Sequence, residues 1–199
     1  MHIGKNNNHL LPTRKISFIG VMTALCVSTN YLMIGLVNVK LMDLFVFVSG
    51  CVMGIPVGVS IGVLTWLVYG TLNPLGFNIP TLVATCVGES FYGIAGGLFR
   101  RYLRNEPHPY SSMLGEKGFW ETNIKFGMAG FFLTFAYDMF TNLVTSFVFD
   151  IPLIPYIVMG IPFTAIHEVS NFLFFFFGGN ILVNAVTKIT LKEVSVNER

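Results

Sequence analysis

Long apolar segments constrain this chain more than any other feature of its sequence. Six of them follow one another, at residues 16–36, 41–55, 57–71, 79–98, 124–149 and 156–186. A helix that crosses a bilayer needs roughly 20 mostly apolar residues, so most of these segments are long enough to span. The second and third are shorter and meet at Pro56, which leaves open whether they cross the whole bilayer. We therefore predict an all-α integral membrane bundle of six transmembrane helices.

Composition leads to the same class of protein. Hydrophobic residues make up 53% of the chain and charged residues only 11%, whereas a soluble domain has roughly 25% charged residues. We expect one membrane domain, residues 16–186, between polar tails at 1–15 and 187–199. The first apolar segment is too long for a secretory signal, so we interpret it as a span. The net charge of +2 gives no indication of nucleic-acid binding.

The basic residues predict how the chain is oriented. With six spans both termini share a side, and all but one of the 12 basic residues then lie on that side. They are Lys5, Arg14, Lys15, Arg100, Arg101, Arg104, Lys117, Lys125, Lys188, Lys192 and Arg199, and the exception is Lys40. Since basic loops stay in the cytoplasm, we expect a plasma-membrane protein with both termini cytoplasmic.

Polar side chains within the apolar segments are the candidate functional residues. The candidates for binding a solute are Asp138, Asn142, His167, Asn171, Glu89 and Glu168. Charged groups inside a bilayer cost a few kcal/mol and are functional candidates by default. In the predicted topology, the candidate residues of the fifth and sixth segments lie in the outer half of the membrane or near its middle. Two interpretations stay open: a solute pocket open to the exterior, and an interhelical hydrogen-bond network such as Asp138 with His167.

Small residues also recur at helical spacing. Gly20, Ala24 and Ser28 form a stripe on the first segment, which permits close approach of another helix, either of a partner or of this chain. A second series, at positions 50, 54, 58 and 62, consists of glycines on either side of Pro56. This series predicts that the two short helices pack tightly.

Catalytic motifs are weak in this sequence. His167-Glu168-Val169-Ser170-Asn171 begins like the zinc-protease motif HExxH but has asparagine where the second histidine ligand is needed. No nucleophile-elbow or P-loop motif occurs, so we expect neither enzyme activity nor ATP hydrolysis, and no metal or cofactor. The alternatives are an intramembrane enzyme that uses Asp138, His167 and Glu168, and a membrane scaffold or assembly subunit.

In the order of these features the chain resembles the substrate-binding S component of energy-coupling factor (ECF) transporters. The resemblance covers roughly residues 16–186 and rests on the small-residue stripe, the Val39–Asp43 entry to the second segment, the glycine series, the Tyr69–Pro74 turn and the polar residues of the last two segments. It implies a subunit that captures a vitamin or vitamin precursor outside the cell. Its partners are then a transmembrane T protein and two cytoplasmic ATPases. The family's docking stripe has the form A-x-x-x-A, which reads Gly20-x-x-x-Ala24 here.

Overall fold

The computed structural model describes residues 12–74, 76, 78–103 and 118–196, and its regular structure is entirely helical in this part of the chain. The elements are α1 (Pro12–Leu32), α2 (Met42–Met53), α3 (Ile55–Thr71), α4 (Ile79–Leu103), α5 (Phe119–Val148), α6 (Leu153–Phe174), a π-helical stretch (Phe175–Gly179) and α7 (Asn180–Val196). Since the π-helical stretch continues α6 into α7, these residues form six continuous helices. The predicted all-α class and number of helices are confirmed. Lys5, Arg104, Lys117 and Arg199 lie outside the described residues.

Four of these helices are long and apolar enough to cross a membrane. They are Thr13–Leu32, Ile79–Arg101, Phe119–Val148 and the continuous helix Leu153–Thr190. At 1.5 Å per residue, the 12 residues of α2 and the 17 of α3 give only about 18 and 26 Å. Large apolar side chains cover the outside of the bundle, among them Leu32, Phe147 and Met159. Such a surface is typical of a membrane protein.

The helices do not begin and end where the predicted apolar segments do. The first helix stops at Leu32 rather than 36, because the chain then makes a series of turns that includes Asn38 at a φ of 56°. It also begins at Pro12, where proline suits the first turn of a helix. The fifth helix begins at Phe119, and the last runs from Leu153 to Val196 because the π-helical stretch accommodates Gly178 and Gly179 without ending it.

Glycines bring α2, α3 and α4 into backbone contact. A Cβ added to Gly93 of α4 would lie 2.5 Å from backbone atoms of Gly58 and Val59 in α3. One added to Gly50 of α2 would collide with the carbonyl oxygen of Gly93. Gly54 separates α2 from α3 at a φ of 97°, which a residue with a side chain rarely adopts. The tight packing predicted from the glycine series is confirmed.

Contacts between helix ends show the up-and-down order of the first four helices. The Tyr31 hydroxyl, at the end of α1, donates to the Leu72 carbonyl just after α3, over 3.2 Å. The Arg100 guanidinium, near the end of α4, donates to the Val52 carbonyl near the end of α2, over 2.8 Å. The start of α2 therefore lies at the same end of the bundle as the ends of α1 and α3. We call this the Lys40 end, since that residue precedes α2.

Candidate functional site

A histidine held between two carboxylates forms the centre of the candidate site. His167 of α6 is fully buried. Its Nε2 lies 2.9 Å from Oδ2 of Asp43, in the first turn of α2, and its Nδ1 lies 3.1 Å from Oδ1 of Asp138 in α5. An ionised carboxylate only accepts hydrogen bonds. With both aspartates ionised, both ring nitrogens donate, which is the imidazolium form, and the three side chains tie α2, α5 and α6 together.

One helical turn further along α6, Asn171 extends this network. Its Nδ2 donates to Asp43 Oδ2 over 2.6 Å and to Thr134 Oγ1 over 2.7 Å, and Tyr92 Oη lies 3.4 Å away. Thr134 Oγ1 in turn donates to the Gly130 carbonyl over 2.8 Å. Its single proton is therefore used, so the Tyr92 hydroxyl, 2.9 Å from the same oxygen, is the donor in that contact.

Glu89 lies on the other side of the site, on α4. Its side chain is 1% exposed, and its Oε2 accepts a hydrogen bond of 3.1 Å from Trp66 Nε1 of α3. Its other oxygen, Oε1, has no hydrogen-bond partner in the described part of the chain. The same holds for the hydroxyl of Tyr137 and Oδ1 of Asn171. Buried polar atoms are normally paired, so unpaired ones of this kind need an explanation.

Aromatic rings and one ammonium group cover the site at the Lys40 end. Lys40 Nζ lies 4.8 Å from the ring centroid of Trp66 and 5.6 Å from that of Tyr137. Tyr137 also packs edge-on against the His167 ring at 5.9 Å. Tyr69 continues this aromatic wall beside Trp66, with 5.7 Å between the two centroids. The buried polar groups thus lie behind a layer that combines aromatic faces with a cation.

The structure brings together some of the sequence-predicted residues and separates others. Asp138, His167 and Asn171 share one network, and Glu89 lies next to it, close enough to interact electrostatically with Asp43. Asn142 and Glu168 instead line a groove of about 380 Å³ between α5 and α6, on the surface of the bundle. The other lining residues of this groove are Phe131, Phe132, Phe135, Met139, Ile157, Ile161, Thr164 and Ala165. The contact between Asp138 and His167, which the network interpretation predicted, is present in the structure.

Sequence analysis missed four important members of the site: Asp43, Trp66, Tyr92 and Lys40. Asp43 had the clearest signal, because it is a carboxylate at the start of an otherwise apolar helix. Lys40 also had one, since it is the basic residue that charge asymmetry isolates. Trp66 and Tyr92 had none that distinguishes them from ordinary apolar packing.

The predicted docking stripe is on the outside of the bundle. Gly20, Ala24 and Ser28 are all exposed, and a Cβ added to Gly20 would meet no atom of the described residues within 4 Å. Cys26 and Asn30, on the opposite face of α1, are buried against the rest of the chain. The alternative in which the stripe packs against this chain's own helices is therefore not what the structure has.

The arrangement places fixed hydrogen-bonding groups inside an apolar bundle. Within the described residues no group of three or more histidine, cysteine and acidic side chains is arranged to hold a metal ion. Both nitrogens of His167 are engaged by carboxylates, so neither is free to act on a substrate.

No family model, curated protein or solved structure matched this chain.

Proposed function

We propose that this chain is the solute-binding membrane subunit of an ECF-type transporter, which captures a vitamin-like micronutrient outside the cell. The observation that carries the proposal is the site at the Lys40 end. It has buried donors and acceptors in an apolar bundle, and three of its polar atoms have no partner among the described residues. Binding sites for small molecules combine an apolar lining with a few fixed polar groups in this way.

Membrane topology is part of the proposal. Six helices would cross or enter the membrane, with both termini in the cytoplasm and the Lys40 end facing outward. Support comes from Arg100 and Arg101, which lie at the opposite end of α4 from the turn that follows α3. Basic residues near the cytoplasmic ends of spans are what the positive-inside rule requires.

The partners would be a transmembrane T protein and two ATPases, which supply the energy this chain cannot. The exposed stripe of Gly20, Ala24 and Ser28 supports a helical partner on α1. Small side chains allow two backbones to approach closely, and such packing helps to hold helices together where no hydrophobic effect exists between them. The geometry gives no comparable support to an enzyme, because both His167 nitrogens are already engaged.

The proposal is tested by identifying what the protein carries. The full chain is purified in mild detergent from cells, and small molecules released on denaturation are measured by mass spectrometry. Asn171→Ala serves as the comparison, since it removes a polar group from the site without changing the charge. We expect one metabolite in wild-type samples at a near-stoichiometric level and less of it in the variant. A wild-type protein that binds no metabolite, even after incubation with cell extract, would contradict the proposal.

A further inference from the structure

The arrangement around Lys40 has the chemistry of a cation site that is already filled by a side chain of the protein. Its ammonium group lies within 6 Å of two aromatic centroids, those of Trp66 and Tyr137. An aromatic face attracts cations through its quadrupole, and cages of such faces recognise quaternary ammonium ligands. Within the described part of the chain Lys40 makes no ion pair, and its ammonium group instead packs over these two faces.

Charge balance gives an independent reason for a cation at this position. Two buried carboxylates, those of Asp43 and Asp138, hold His167 between them behind the aromatic pair. With both ionised and His167 an imidazolium, one positive charge stands against two negative ones. Lys40 interacts electrostatically with both Asp43 and Glu89. If its ammonium moved away, the carboxylates would lack a compensating charge on this side. Another cation would then be favoured in its place.

Trp66 couples the aromatic pair to an unpaired acceptor. The indole Nε1 donates to Glu89 Oε2, so the ring that faces the Lys40 ammonium is fixed by the same side chain whose Oε1 has no partner in the described part of the chain. A ligand with a positive charge and a hydrogen-bond donor would therefore match both features: the aromatic faces and the free oxygen.

Lys40 can leave this position without a change in fold. It lies in the turns between α1 and α2, where its backbone is not part of a helix, and its side chain is only partly buried. Four rotatable bonds carry the ammonium, so a change of rotamer is enough to move it.

We propose that Trp66 and Tyr137 form a binding site for an organic cation, and that Lys40 occupies this site until a ligand displaces it. That this cation is the transported solute rests on the function proposed above, whereas the binding site itself does not. In this arrangement Lys40 is a tethered competitor, which weakens binding of the ligand and keeps the aromatic faces covered in its absence.

The chain offers a direct reporter for a test, because it has two tryptophans and Trp120→Phe leaves Trp66 as the single one. Fluorescence of this variant in detergent is titrated with N-methylpyridinium and with pyridine, its uncharged counterpart. We expect saturable quenching by the cation only. In Lys40→Met, removal of the competitor should strengthen binding about 3- to 30-fold, the range that corresponds to a cation–π contact. Lys125→Met, which removes a lysine paired with Glu121, is the matched control and should change nothing.

Variants of the second ring complete the test. Tyr137→Phe keeps the aromatic face and removes a hydroxyl that has no partner among the described residues, so it should bind the cation as the parent does. Tyr137→Leu removes the aromatic face and should weaken binding. If that variant does not fold, the affinity for the cation is compared with and without Lys40→Met in the Tyr137→Phe background. A gain of affinity on removal of Lys40 then supports the proposal. Equal quenching by pyridine, or no gain of affinity in Lys40→Met, would overturn the proposal. Quenching by benzoate that depends on Lys40 would also overturn it, since Lys40 would then hold an anion.

The outcome also separates the two proposals. A neutral or anionic metabolite found by mass spectrometry would overturn the identification of the cation with the transported solute and leave the transport function in place. Cation binding without any carried metabolite would keep the site and remove the transport function.

Discussion

Replacing Gly93 by alanine tests whether the glycine contacts of α2, α3 and α4 determine the fold. The new Cβ would lie 2.5 Å from two backbone atoms of α3 and 3.0 Å from the Gly58 carbonyl oxygen. Backbone atoms cannot rotate away, so the helices must separate by about 0.9 Å to reach an ordinary contact of 3.4 Å. A gap of this size forfeits roughly a quarter to a half of the dispersion energy along the interface.

Overpacking of this kind costs about 1–3 kcal/mol in the free energy of unfolding. For a chain of this size, 1 kcal/mol corresponds to about 2–4 °C in the melting temperature, so we expect Gly93→Ala to melt about 2–12 °C lower. Thermal unfolding in detergent, followed by tryptophan fluorescence, measures the shift. Gly20→Ala is the matched control, because it is the same change on a helix and its Cβ meets no atom within 4 Å. Two variants that melt at the wild-type temperature would refute the argument from backbone contact.

Three further predictions concern topology, docking and the site. A cysteine at Leu72 should react with a membrane-impermeant reagent on intact cells, whereas one at Arg101 should not; the reverse pattern would contradict the proposed orientation. Ala24→Trp should abolish uptake by the full transporter while solute affinity, measured by equilibrium dialysis, stays unchanged. Asn171→Ala should lower both the melting temperature and solute affinity, because it removes hydrogen bonds worth about 1–3 kcal/mol. Asn142→Ala should change neither if the solute binds at the Lys40 end rather than in the groove.

The fold was largely predictable because apolar length and small-residue spacing are properties of the local sequence. Gly50 and Gly58 bring the two short helices close together as their spacing indicated, and the six helices follow from the six apolar segments. The ends of the helices were less predictable. Leu32 ends α1 although the next residues are still apolar, since hydrophobicity alone does not distinguish a helix from the turns that follow it.

The site was predictable only where polar residues interrupt an apolar helix. Asp138 and His167 stand out for this reason, and their contact could be expected. Asn142 and Glu168 have the same signal, yet they face the groove, because the rotation of α5 and α6 about their axes depends on packing that the sequence pattern does not specify. Asp43 carries a similar signal at the start of an apolar helix, but the sequence pattern does not specify its contact with a histidine 124 residues away.

The network and the pocket interpretations, which the sequence left as alternatives, are compatible at Asn171. Its amide has one end that donates and one that accepts. Asp43 Oδ2 and Thr134 Oγ1 both need a donor at the end that faces them, since the threonine proton is used by the Gly130 carbonyl. A flipped amide would place oxygen against oxygen at both contacts. The hydrogen-bond network therefore fixes the orientation in which Oδ1 points away from these partners. Among the described residues this oxygen has no partner, so it is an acceptor that the proposed solute could use.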